Sequence, residues 1–150
     1  MNLEIFYAIV ALVFTVCVIK MIFLAKTKRK KPSSTLLKLV STITMTGGKT
    51  FKVYKFIADA TFKQIFESLS ASESLDGLCL TGEQRETFCS EHTDQLSSNG
   101  FNFFLMKKGD YFFVAGVRID FGGLRVRVYR LELGYVWLGD NRNRLVVPQL

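Results

Sequence analysis

Phe101-Asn-Phe-Phe-Leu-Met-Lys-Lys-Gly-Asp110-Tyr-Phe-Phe-Val-Ala-Gly-Val-Arg-Ile-Asp120-Phe-Gly-Gly-Leu-Arg-Val-Arg-Val-Tyr-Arg130 is the stretch that decides the fold. Aromatic and β-branched residues crowd into runs, and glycine turns separate the runs, which is the pattern of consecutive antiparallel strands. Phe101–Met106 and Tyr111–Phe121 flank a turn over Lys107-Lys108-Gly109-Asp110, which sets Lys107 opposite Asp110. A second turn at Gly122-Gly123 puts Phe121, Ile119 and Val117 against Leu124, Val126 and Val128 on one side. Asp120 and Arg118 then face Arg125 and Arg127 on the other. Both sides of Phe103-Phe104 and Phe112-Phe113 are apolar, so this meander needs cover on both faces. Helices supply one cover. A partner, a second copy or a membrane surface would supply the other.

Upstream, Leu36–Ile57 reads as a hairpin. A loop at Gly47-Gly48-Lys49 pairs Met45 with Phe51 and Ile43 with Val53. Asp59 caps a helix to about Ser70, with Phe62, Ile65, Phe66 and Leu69 on one face. Thr81 and Gln84 form a capping box for a polar second helix running to about Ser97, and Ser98-Asn99-Gly100 closes it. Downstream, Tyr135–Leu138 and Leu145–Val147 are candidates for further short strands. The expected class is α+β: an antiparallel sheet in the order β-β-α-α-β-β-β, with the helices packed on one face.

The first 25 residues differ from the rest. Leu3–Ala25 holds 23 residues with only Glu4 and Lys20 charged. As a helix it would span about 34 Å, against a hydrocarbon core of about 30 Å. An acidic start and a basic exit disfavour a cleaved signal peptide, and an all-round apolar surface disfavours a core helix. The expectation is a transmembrane helix over 1–25, a basic juxtamembrane linker over 26–35 and an α+β domain over 36–150. Lys26, Lys28, Arg29, Lys30 and Lys31, with Lys20 snorkelling toward them, flank the anchor on one side. The positive-inside rule then predicts a single-pass membrane protein with a cytoplasmic C-terminal domain.

The net charge of +7 is mostly this cluster. Residues 1–31 carry six basic groups and one acid, whereas 32–150 carry fourteen and twelve. The basicity therefore argues for a lipid bilayer as partner and makes nucleic acid an unlikely one. Three cysteines, Cys17, Cys79 and Cys89, fit a reducing compartment. A Cys79–Cys89 bridge is the alternative if the domain is external.

The order of elements between Leu36 and Leu138 resembles that of PAS sensor domains: two strands, a helical middle and a three-strand meander. Thr44–Tyr54 resembles their opening hairpin, and Met106–Val114 their later glycine hairpin. The resemblance implies a sensory or interaction module. The asparagine that follows the second strand in that family is replaced here by Lys55 or Phe56.

No catalytic constellation emerges, so the chain reads as a non-enzyme without cofactor or metal. Gly48-Lys49-Thr50 lacks the distal glycine of a phosphate loop, since Ile43 stands there. His92 is the single histidine, and Cys89 with Cys79 does not complete a zinc set. What remains is a candidate binding face on the last hairpin: Arg118, Arg125, Arg127 and Tyr129. Residues 59–97 carry eight acids against Lys63 and Arg85, so the basic face could be met from within the chain or by another copy. The functional expectation is a membrane-anchored interaction or sensory module that binds a protein partner or self-associates. The alternative is anionic-lipid or nucleic-acid binding through the basic sheet face.

Overall fold

The computed structural model describes residues 36–70, 74–121 and 123–149. It contains six strands: β1 (Leu37–Thr44), β2 (Thr50–Phe56), β3 (Asn102–Lys108), β4 (Tyr111–Asp120), β5 (Gly123–Arg130) and β6 (Arg144–Pro148). Two helices, α1 (Phe62–Leu69) and α2 (Gly82–Glu91), lie between β2 and β3. The sheet order is β1-β2-β6-β3-β4-β5. Neighbours are antiparallel except β6 and β3, which run parallel with Phe103 beside Leu145.

This corrects the sequence expectation of an antiparallel sheet. The sheet is mixed because Arg144–Pro148, which looks like a brief terminal strand, inserts between the two hairpin systems. Leu145, Val146 and Val147 are all buried. Leu145 and Val147 serve one face of the sheet and Val146 the other. An unbroken apolar run is what a strand covered on both sides requires.

The helices also do not share a face. Phe62, Ile65 and Phe66 of α1 pack with Phe56, Phe103, Leu105, Val114 and Trp137 on one side. Phe88 and Cys89 of α2, with Leu80 and Leu96, pack with Phe51, Val53, Phe104, Ala115 and Val117 on the other. Most of the double-sided apolar surface of β3 and β4 is therefore covered by the domain itself. The expected membrane-crossing helix finds no support among the described elements either. Among the described residues no helix is long and apolar enough to cross a membrane. The 1–25 segment and the 26–35 linker, including Lys20, Lys26, Lys28, Arg29, Lys30 and Lys31, lie outside the described residues.

Several registers shift by two residues from expectation, which preserves the faces. Ile43 pairs Phe51, because Gly47 and Gly48 both adopt left-handed φ (100° and 82°) and the three-residue loop falls one residue earlier, between Met45 and Lys49. Lys108 pairs Tyr111 around Gly109-Asp110, so Lys107 lies opposite Phe112 and its amine instead reaches Asp76 at 2.5 Å. Asp120 pairs Gly123, which leaves Phe121 in the turn, fully exposed. In β1 a bulge at Leu39/Ser41 switches sides. Leu37 packs in the first core and Ile43 in the second.

Both helices begin with reciprocal capping boxes, Thr61 with Gln64 and Thr81 with Gln84. Asp59, expected as the first cap, instead accepts the Gly139 N–H at 2.8 Å. That bond, with the Ala60–Trp137 bridge, holds the 131–143 segment against the end of β2. Tyr135–Leu138 thus forms a bridge rather than a strand. Gly100 is buried against the Arg142 carbonyl instead of acting as a left-handed cap.

Candidate functional site

β5 is the outermost strand on one side of the sheet. Seven of its eight residues are exposed and Tyr129 is half-buried. Eight unbroken pairs, from Asp120↔Gly123 to Phe113↔Arg130, tie it to β4. The loop holds two residues, so Asp120 and Gly123 form the closing hydrogen-bonded pair. Alternation from that pair turns the N–H and C=O groups of Leu124, Val126 and Val128 away from β4, toward the open edge. The Arg130 carbonyl is taken up by Leu133 N–H at 3.1 Å. The free edge is therefore the 124–128 stretch.

The two faces of this hairpin differ in chemistry. On one lie Arg118, Arg125 and Arg127, and the structure brings all three together as the sequence predicts. Arg118 and Arg127 rest on the Phe101 ring, 6.0 and 5.9 Å from its centroid. Arg125 reaches Asp120 at 3.2 Å. Among the described residues neither Arg118 nor Arg127 has a carboxylate within ion-pair distance. The seven described acids of 59–97 do not neutralise this face. Asp76 holds Lys107, Glu67 holds Lys63 and Glu86 holds Arg85.

Tyr129 shares the face but does a different job. It leans inward across Gly116, where an added Cβ would meet Tyr129 Cε2 at 2.8 Å. Its ring lies 5.3 Å from Trp137 and 5.9 Å from Phe62. Tyr129 thus closes the first core, and the hydrophobic environment of Gly116 is the signal that sequence reading passes over.

On the opposite face Leu124, Val126 and Val128 form an aliphatic row, with Val128 67% exposed. The row continues inward to Ile119 and Phe113, which pack on the second core. A helix about 10–12 Å wide covers two or three strands spaced about 4.8 Å apart. α2 therefore cannot also cover β5.

No family model, curated protein or solved structure matches the chain. The site is read from its own residues. Other features carry no comparable chemistry. A cleft of about 580 Å³ is lined in part by Gly48, Lys49, Asp76 and Cys79, and its Asp76 carboxylate is already taken up by the Lys107 amine at 2.5 Å. Among the described residues no group of three or more His, Cys, Asp or Glu could hold a metal. Burial pushes the Cys79 and Cys89 thiols up to about 11, the opposite of a nucleophile's activation.

Proposed function

We propose that this domain is a protein-interaction module that takes up a partner strand along the free edge of β5. One observation carries the reading: an eight-residue, unbulged edge strand bears a row of exposed aliphatic side chains and outward backbone groups at Leu124, Val126 and Val128. Edges of this length are normally bulged, shortened or covered. The opposite edge, β1, is bulged at Leu39/Ser41, whereas β5 has a regular register throughout. Strand addition gives affinity through main-chain hydrogen bonds and specificity through alternate side chains. The unpaired guanidiniums of Arg118 and Arg127 support a second reading, phosphate recognition by the basic face. That mode is salt-dependent and needs no edge amides.

A photo-crosslinking residue placed at Val128 of the full chain in cells tests the proposal. Adducts to one protein segment are expected, with none from a control position at Glu83. Val126→Pro removes an outward N–H without touching the β4 ladder, so the sheet tolerates it, and the adducts should disappear. Equal adducts from the proline variant would reject strand addition.

A further inference from the structure

Resting on the edge-docking reading, we infer that β5 accepts an acidic strand from another protein, one that alternates acidic with aliphatic residues. A strand laid along β5 places successive side chains on opposite faces. One set meets Arg125 and Arg127, with the Arg118–Phe101–Arg127 stack behind them. The other set extends the Leu124, Val126 and Val128 row. Aliphatic residues match the row, and carboxylates match Arg127, which has no ion-pair partner among the described residues, and Arg125, whose one partner is Asp120. Directly opposed unlike charges favour pairing and like charges oppose it.

A second copy fits poorly. Antiparallel pairing of two β5 strands about a two-fold axis sets the Arg125 and Arg127 side chains of each beside those of the other, with no acid between. Among the described residues, the acidic segment of 59–94 does not supply the strand either. Its described acids lie on α1, α2 and their connections. The arginines thus act as a filter, blocking edge-to-edge association between copies while leaving the edge open to a segment of opposite charge.

The test uses the full chain and three eight-residue peptides: alternating Val and Glu, the same residues in two blocks, and alternating Val and Lys. The alternating Val/Glu peptide should bind at least about tenfold tighter than the Val/Lys peptide, given two or more opposed charge pairs. It should also slow hydrogen exchange at the Leu124, Val126 and Val128 amides. An R125E/R127E double variant should reverse the preference toward the Val/Lys peptide. Equal affinity for the Val/Glu and Val/Lys peptides, or for the block peptide, overturns the inference. So does Val/Glu binding that leaves the three amides unprotected. A single-stranded oligonucleotide or phosphatidylserine vesicle that displaces the Val/Glu peptide and binds without edge protection assigns the face to phosphate and also overturns it. Failure of every peptide while the Val128 cross-link persists rejects the acidic partner but leaves edge docking standing. Loss of both rejects the two together.

Discussion

Asn102→Asp changes one buried atom and should cost the domain a large part of its stability. Asn102 is fully buried at the start of β3. Its Oδ1 accepts the Ser97 N–H at 2.6 Å, and its Nδ2 donates to the carbonyls of Ser97 and Val117, both at 3.2 Å. The side chain thereby fastens the end of the helical segment to β3 and β4. The isosteric carboxylate keeps the first bond and turns the other two into repulsions. Two buried carbonyls left without a donor cost about 1–3 kcal/mol each. Desolvation of the charge adds to this until the group takes up a proton. A loss of about 3–6 kcal/mol at pH 7 follows, against a typical total of about 5–15 kcal/mol.

The sign of the pH effect is fixed. The folded pKa of the introduced carboxyl lies above its unfolded value of about 3.9. The deficit is therefore smallest below about pH 4 and grows as pH rises through the folded value. Urea unfolding of full-length wild type, Asn102→Asp and Asn102→Ala at several pH values measures this. With a slope of about 1.5 kcal/mol/M, 3 kcal/mol moves the midpoint by about 2 M. The alanine variant should be destabilised without the added pH dependence. An aspartate midpoint within about 0.3 M of wild type at pH 7, or a deficit flat with pH, would refute the account of Asn102 as a donor to two carbonyls.

Two further outcomes follow from the packing. Gly139→Ala should destabilise by about 1–3 kcal/mol or more, because its Cβ would overlap the Ala58 backbone. Gly134→Ala, in open space, should stay within about 0.5 kcal/mol in the same melt. Cys79 and Cys89, both raised to about 11 by burial, should react slowly with a thiol reagent at pH 8 and quickly in urea. Because the folded values are raised, stability from these thiols is intact below about pH 9 and falls as pH rises toward about 11. Fast labelling of the native chain at pH 8 would show that the thiols are not buried as described.

The elements that sequence reading locates well are those with local signals. Both faces of the last hairpin, the Thr81 capping box and the grouping of Arg118, Arg125 and Arg127 follow from alternation and spacing alone. Registers are missed by two residues because a shift of two leaves every side chain on its face, so hydrophobic pattern cannot distinguish the options. Left-handed φ at Gly47, Gly48 and Gly109 decides them. The position of β6 is missed because Leu145-Val146-Val147 is short, and its partners lie about 40 and 90 residues earlier in the chain. Its unbroken apolar run was the available clue to a covered strand. The aromatic surplus on β3 and β4 suggested an external partner, but α2, Leu80 and Leu96 consume most of it. What survives as a candidate surface is the part beyond the reach of α2, on β5.

The central place of β6 also constrains how the chain is made. During synthesis the β1–β2 hairpin and the β3–β4–β5 meander are both made before residues 144–148 exist to join them. Until then Val53 and Phe104 lack their shared neighbour Val146, and two half-sheets wait with open inner borders. Assembly is governed by contacts distant in sequence, which slows it. The nascent chain therefore passes through an interval in which those inner borders are exposed and prone to mispairing.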